Sequence, residues 1–150
     1  MISFIVFFIL TSAAAAMGAL FQPGAWYAGL SKPALTPPDW VFPVAWTVLY
    51  LMIAVAGWMY WQGRRYPSGR RVVALWGAQL VLNAAWSWLF FGLHLTGVAL
   101  AEILLLWLTI LLLMIDGYRI RPLASWLLAP YLIWVGFAAW LNLGIWRLNA

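Results

Sequence analysis

The sequence predicts an all-α integral membrane protein, folded as a single bundle of five transmembrane helices. Of its 150 residues, 67% are hydrophobic and 7% are charged, a composition that excludes a water-soluble domain. Five almost uncharged runs are each long enough to cross about 30 Å of hydrocarbon at a rise of about 1.5 Å per residue. Because lipid offers no hydrogen-bonding partner to backbone groups, each run is expected to be helical.

The predicted helices leave little chain for any domain outside the membrane. They cover residues 2–21, 41–62, 72–93, 95–115 and 123–146. The first run contains small residues, Ala13–Ala16, that resemble a signal-peptide cleavage region. No Lys or Arg precedes it and its apolar stretch is about twice the usual length, so we predict a retained helix. In the last run, Pro130 removes a backbone donor and predicts a bend.

Residues 22–40, called the lid loop below, form the only long polar interruption in the first half of the chain. Its prolines, including Pro37 and Pro38, have fixed φ angles, which favours a shaped segment over a flexible linker. We predict a lid over a pocket, with Trp26 and Tyr27 at the pocket mouth and Lys32 available to a ligand carboxylate. The alternative is a simple connection that lies on the lipid headgroups.

The formal net charge of +5 is concentrated in two connections. These connections carry Arg64, Arg65, Arg70, Arg71, Arg119 and Arg121, whereas the opposite side carries Lys32 and Arg147. The positive-inside rule then predicts that the N-terminus and both Arg-bearing connections lie on the cytoplasmic side of a bacterial cell membrane. The basic clusters therefore indicate orientation and contact with anionic lipids rather than nucleic-acid binding.

Few side chains in the sequence are of the types that bind metals or act as acids, bases or nucleophiles in catalysis. The chain has no cysteine and a single histidine, His94, which cannot build a metal site alone, so no metal is expected. Glu102 is the only charge inside a predicted span. Intramembrane carboxylates suggest a functional role by default. Since Glu102 has no intramembrane cationic partner, we favour a structural or headgroup-contacting role over a proton relay.

The chain has 13 tryptophans, far more than an interfacial aromatic belt requires. Helical spacing aligns aromatic and amide side chains on one face of each of three predicted helices. These faces carry Trp46, Tyr50, Ile53 and Gly57; Gln79, Asn83 and Trp86; and Tyr131, Trp134, Ala138 and Asn142. Either the amides bond helix to helix and the rings fill the core, or the rings line a pocket for a planar ligand. Spacing alone leaves both interpretations open.

Three motifs in order resemble the signature of the tryptophan-rich sensory protein/translocator protein family. They are the Trp26–Trp46 stretch with its Lys32-Pro33 and Pro37-Pro38 pairs, the Gln79–Phe91 stretch, and Pro130-Tyr131-x-x-Trp134 followed by Leu141-Asn142. The resemblance covers the whole chain. It implies a five-helix bundle, commonly a homodimer, that requires no cofactor. It also implies binding of porphyrins and of isoquinoline-carboxamide or benzodiazepine-type ligands.

The resemblance also implies a set of pocket residues. By motif position these are Tyr27, Trp46, Tyr50, Asn83, Trp86, Phe90, Trp134 and Ala138. Trp46 and Trp134 match two tryptophans linked in some members to light- and oxygen-dependent breakdown of protoporphyrin IX. The stretch from Asn142 to Arg147 lacks the Tyr of the eukaryotic cholesterol motif, which leaves sterol binding unsupported.

Three functions remain to be weighed. The first is a membrane receptor or sensor that binds a tetrapyrrole such as protoporphyrin IX. The second is an enzyme that degrades porphyrin through tryptophan radicals at Trp46 and Trp134. A porphyrin or sterol transporter is the weakest, because the chain shows no inverted repeat and no paired intramembrane charges. Small residues at Ala74, Gly77 and Ala78 predict a homodimer contact, with the first helix around Ala14 as the alternative.

Overall fold

In a computed structural model, which describes residues 3–149, nearly the whole chain is helical and no strand occurs within that range. The helices are α1 (Phe4–Ala19), α2 (Ala25–Ala28), α3 (Val41–Gln62), α4 (Gly69–Ser87), α5 (Thr96–Tyr118), α6 (Pro122–Leu127) and α7 (Ala129–Asn149). A π-helical turn, Trp88–Gly92, extends α4 without a break.

Four helical stretches in the described range are long and apolar enough to cross a membrane. They are Val41–Gln62, Gly69–Gly92, Thr96–Tyr118 and Pro122–Asn149. Helix α1 is apolar but has 16 residues, which corresponds to a length of about 24 Å. It is therefore shorter than the predicted helix over residues 2–21, whose first residue lies outside the described range. The count of five spans stays a prediction.

The apolar runs predicted some helix boundaries better than others. The second predicted helix and α3 have the same bounds, Val41–Gln62. Helix α5 continues beyond the predicted Ile115 to Tyr118. Asp116, in this extra turn, forms an ion pair with Arg71 of α4, with 2.9 Å between Oδ2 and Nε. Because Asp116 is paired with Arg71, this charged residue can lie within α5, beyond the end of the apolar run.

The last apolar stretch is divided into two helices. Helix α6 ends at Leu127, and α7 begins one residue before Pro130, which has no N–H to donate to the preceding turn. The bend predicted from Pro130 is thus a break at Leu128. Helix α6 lies against α3, where the Tyr60 hydroxyl and the Ser125 hydroxyl are 2.9 Å apart. Because Ser125 Oγ donates to the carbonyl of Met114, the Tyr60 hydroxyl is the donor in this pair.

The break at Leu128 determines at which end the helices of the bundle pack closely and at which end they separate. Helix α1 packs against α3 and α4, while α5 packs against α4 and α7. The backbones of α3 and α7 come close at few points, although α6 packs well against α3. The bundle is therefore compact at the end that carries the arginine connections. It widens towards the lid loop.

Close approach at the compact end depends on two glycines. The indole of Trp76 occupies the space where a Cβ on Gly57 would stand, and its Nε1 donates to the carbonyl of Ile53 at 2.9 Å. The ring of Tyr60 lies in the same way over Gly117. A larger residue at either glycine would displace a buried aromatic ring.

Candidate ligand-binding site

A cavity of about 440 Å³ lies between α1, α3, α4 and α7, beneath the lid loop. This volume falls within the range of about 300–1,000 Å³ that is typical of small-molecule sites. All eight side chains predicted to line a pocket lie on its wall: Tyr27, Trp46, Tyr50, Asn83, Trp86, Phe90, Trp134 and Ala138. The structure therefore brings the predicted residues together. Their contact with a ligand stays a prediction.

The aromatic residues form two walls of the cavity. On the first wall, the ring centroid of Trp46 lies 5.3 Å from that of Tyr50 and 6.5 Å from that of Trp134, with an interplanar angle of 87° to Trp134. On the second wall, Trp86 and Phe90 are stacked with centroids 5.1 Å apart. Flat ring faces and edges thus border the empty space, as a planar ligand requires.

A chain of hydrogen bonds ties three helices together behind the first wall. The Tyr50 hydroxyl donates to Asn83 Oδ1 at 2.6 Å, and Asn83 Nδ2 donates to the Tyr131 hydroxyl at 2.9 Å. The Tyr131 hydroxyl in turn donates to Gln79 Oε1 at 2.9 Å. Asn83 therefore bonds helix to helix and also borders the cavity. The helix-to-helix bonds expected of the amides are thus present at Asn83, while its contact with a planar ligand stays a prediction.

A second pair of bonds fixes the opposite wall. Trp86 Nε1 donates to Asn142 Oδ1 at 3.1 Å, and Asn142 Nδ2 donates to the carbonyl of Thr96 at 2.8 Å. These bonds hold the indole of Trp86 in one orientation and join α4, α7 and the start of α5. Fixed side chains of this kind make a cavity that is largely preformed.

The lid loop is attached at both of its sides. Trp26 stacks on His94, in the connection between α4 and α5, with centroids 3.9 Å apart and an interplanar angle of 13°. The backbone N–H of Ser31 donates to Asn149 Oδ1 at 3.0 Å, and Asn149 Nδ2 donates to the carbonyl of Ser31 at 2.9 Å. The loop is thus held to the last turn of α7 as well.

Within the lid loop, only some of the predicted residues reach the cavity. Tyr27 lines it, whereas Trp26 packs outside on His94 and on Phe90. Lys32 also lies off the cavity wall, with its Nζ over the Tyr27 ring at 4.5 Å from the centroid. Neither Trp26 nor Lys32 therefore lines the cavity in this conformation, and contact of either side chain with a ligand stays a prediction. Contacts with His94 and Phe90 hold Trp26 in place, and the contact with the Tyr27 ring holds Lys32.

The mouth carries one titratable hydroxyl next to one carboxylate. Burial, and to a lesser degree the negative charge of Asp39, raise the pKa of Tyr27 above its ordinary value. Tyr27 consequently keeps its proton at neutral pH and offers a hydrogen-bond donor. Asp39 lies on the cavity wall and is exposed.

A family model for the TspO/MBR family matches residues 4–147, almost the whole chain. The chain belongs to the TspO/MBR family. Similar relatives include protein CrtK of Rhodobacter capsulatus, 37% identical over 148 residues that cover 97% of this chain and 92% of that protein. The tryptophan-rich sensory protein of Cereibacter sphaeroides is 37% identical over 146 residues, or 97% of this chain and 90% of that protein. The human translocator protein is 38% identical over 126 residues, or 83% and 75% respectively.

Family membership, taken together with the apolar helical stretches, identifies this TspO/MBR chain as an integral membrane protein. The predicted membership of the tryptophan-rich sensory protein/translocator protein family is confirmed. The relatives are named as sensory and translocator proteins. The bacterial cell membrane and the cytoplasmic N-terminus stay predictions.

Sequence reasoning missed the contribution of α1 to the site. Ala15, Gly18 and Ala19 line the cavity, although the small residues of this helix were discussed only as a cleavage-like region and as an alternative dimer contact. The available signal was their position at the end of α1 that meets the lid loop. Small side chains there leave room for the cavity. Two more lining residues were missed: Asp39, which precedes α3, and Phe42, which lies one turn before Trp46 on the same face of α3.

Glu102 lies in α5, away from the cavity wall. Both of its carboxylate oxygens are shielded from the surface and have no hydrogen-bond partner within residues 3–149. This arrangement argues against the headgroup contact predicted for it. A buried carboxyl group without a partner is costly in a membrane protein.

Proposed function

We propose that the cavity binds a tetrapyrrole such as protoporphyrin IX, and that the protein is a membrane receptor or sensor in porphyrin homeostasis or stress signalling. The observation that carries the proposal is the convergence of Trp46, Trp86 and Trp134, from three helices, on one preformed cavity. Stacking on indole faces favours a large planar ligand, while few polar groups are present to orient it. The same walls suit the smaller isoquinoline-carboxamide and benzodiazepine-type ligands.

A fluorescence titration tests this proposal. Protoporphyrin IX added to the purified protein should quench tryptophan emission saturably, with micromolar or tighter affinity. Replacing Trp46 and Trp134 together with Leu should weaken binding by at least about 2 kcal/mol, or roughly 30-fold, because two stacking rings are lost. The matched control replaces Trp126 and Trp140, which are 66% and 44% exposed. Equal affinities for the two double variants would refute the pocket assignment.

A second candidate function is photo-oxidative degradation of the bound porphyrin. Trp46 supports it, because its ring lies next to three other oxidisable rings: Tyr50 at 5.3 Å, Tyr131 at 6.3 Å and Trp134 at 6.5 Å between centroids. An illuminated porphyrin and oxygen would supply the oxidising power, and an indole would donate the electron.

Trp→Phe variants separate the two functions, because phenylalanine keeps a flat ring but is much harder to oxidise. Both tryptophans would be replaced, at positions 46 and 134, and the illuminated complex followed by absorbance. An enzyme would lose turnover while retaining porphyrin affinity. A receptor would show the same slow bleaching in the wild type and in the variant.

We also propose a homodimer through α4. Ala74 and Ala78 are exposed on its outer face, and a Cβ on Gly77 would meet open space, whereas Ala14 of α1 is buried in the bundle. Small residues four apart allow close backbone approach between helices. Since the chain has no cysteine, single cysteines at positions 74 and 14 test the interface. Efficient disulfide cross-linking at position 14 alone would move the interface to α1.

A further inference from the structure

Asp39 is the one charged side chain on the wall of the cavity, within the described part of the chain. It lies two residues before the start of α3, at the mouth, and forms no salt bridge or side-chain hydrogen bond with any described residue. The other polar side-chain groups on the wall are amides, hydroxyls and indole N–H groups, which carry no formal charge. The mouth is therefore anionic rather than neutral.

Among residues 3–149, no cationic side chain lies on the cavity wall with Asp39. Lys32 forms no salt bridge with it: its Nζ lies over the Tyr27 ring and 3.4 Å from the carbonyl of Ala28. The charge of Asp39 also contributes to the raised pKa of Tyr27, where burial is the larger cause. The electrostatic field of Asp39 therefore reaches the Tyr27 hydroxyl at the mouth.

This inference rests on the proposed function. We propose that Asp39 sets the charge preference of the cavity: the site favours planar aromatic ligands whose mouth-facing edge is neutral or cationic, and disfavours those that present a free carboxylate there. Two like charges at the mouth repel each other, whereas an ammonium group gains an unpaired counter-ion. For a tetrapyrrole, neutralising the propionates as esters or amides relieves the repulsion. Because Asp39 is exposed, water and salt screen the effect to about three- to tenfold in affinity.

Three porphyrins that differ in peripheral charge test the inference. They are protoporphyrin IX with two free propionates, its neutral dimethyl ester and a diamide with two terminal amines. Each is titrated by tryptophan quenching into full-length protein in nanodiscs of zwitterionic lipid, as wild type, Asp39→Asn and Asp116→Asn. Asp116 is the net-charge control, because it pairs with Arg71 at the far end of the bundle. For each porphyrin, the dissociation constant of a variant is compared with that of the wild type, so differences in solubility between porphyrins cancel.

In Asp39→Asn, the dissociation constant of the free diacid should fall about three- to tenfold and that of the diamine should rise by a similar factor. The ester should change by less than about twofold, and high salt should shrink both effects. Unchanged diacid and diamine affinities would overturn the inference. Equal changes in Asp116→Asn would also overturn it, since they would reflect net charge alone.

A further pair of ligands separates this inference from the proposed function. If none of the porphyrins binds the wild type, tetrapyrrole binding fails. A neutral isoquinoline-carboxamide and its amine-bearing analogue then test the role of Asp39. For each compound, the dissociation constant of Asp39→Asn is compared with that of the wild type. Weaker binding of the amine alone in Asp39→Asn would support the inference. No dependence on Asp39, or no binding by either compound, would overturn it.

Discussion

Replacing Asn149 with Ala removes both hydrogen bonds by which the last turn of α7 holds the lid loop. Asn149 accepts from the N–H of Ser31 at 3.0 Å and donates to its carbonyl at 2.9 Å. An exposed pair of neutral hydrogen bonds contributes about 1 kcal/mol or slightly more in total, since water competes for the same groups. If the lid must open before a ligand leaves, the dissociation rate should rise roughly five- to tenfold.

Stopped-flow dissociation measures this change. The porphyrin complex is mixed with an excess of a porphyrin scavenger, and recovery of tryptophan emission gives the rate. Asn149→Asp is the companion variant: it keeps the acceptor for the Ser31 N–H but replaces the donor by a charged oxygen that faces the Ser31 carbonyl. It should also raise the dissociation rate, because the second bond is lost. The association rate should change less than the dissociation rate in both variants.

The stack of Trp26 on His94 is an independent attachment of the same loop. His94→Ala should therefore also speed dissociation, and its effect should add to that of Asn149→Ala, because the two contacts share no atoms. Limited proteolysis reports whether the loop has loosened. Faster cleavage in the lid loop together with an unchanged dissociation rate would refute the reasoning and reduce the loop to a tether.

Three further predictions concern other parts of the bundle. Replacing Pro37 and Pro38 with Gly should raise the porphyrin dissociation rate and the proteolysis of the apo lid loop, because the open loop gains conformational entropy; stopped-flow rates equal to wild type would contradict this. Asn83→Leu should lose about 1–2 kcal/mol of porphyrin binding and also lower the melting temperature, since both of its amide atoms are hydrogen-bonded; a folded variant with normal affinity would make Asn83 purely structural. Glu102→Gln should stabilise the protein by roughly 1 kcal/mol and leave porphyrin affinity unchanged, because it replaces a buried carboxylate, which has no partner within residues 3–149, by an uncharged amide. A lower melting temperature with altered binding would indicate a functional carboxylate.

The sequence predicted the pocket residues well because helical periodicity determines which side chains share a face. Trp46 and Tyr50 are one turn apart, as are Trp134 and Ala138, so each pair points in one direction whatever surrounds it. The bounds of α3 were predicted for a similarly local reason. Its apolar run ends at polar residues on both sides.

Periodicity does not determine how far neighbouring helices diverge. The break at Leu128, which sends α7 away from α3, depends on the contact of α6 with α3 as well as on Pro130. The position of Lys32 over Tyr27, and of Trp26 over His94, likewise depends on contacts that only the folded chain creates. Long-range contacts of this kind decide which residues of the lid loop face the cavity.

The most direct test of tetrapyrrole binding is a structure of the protein in lipid with protoporphyrin IX bound. We expect the macrocycle inside the cavity beneath the lid loop, in contact with Trp46 and Trp134 on one side and with Trp86 on the other. A porphyrin bound only on the lipid-facing surface, with the cavity empty, would contradict it.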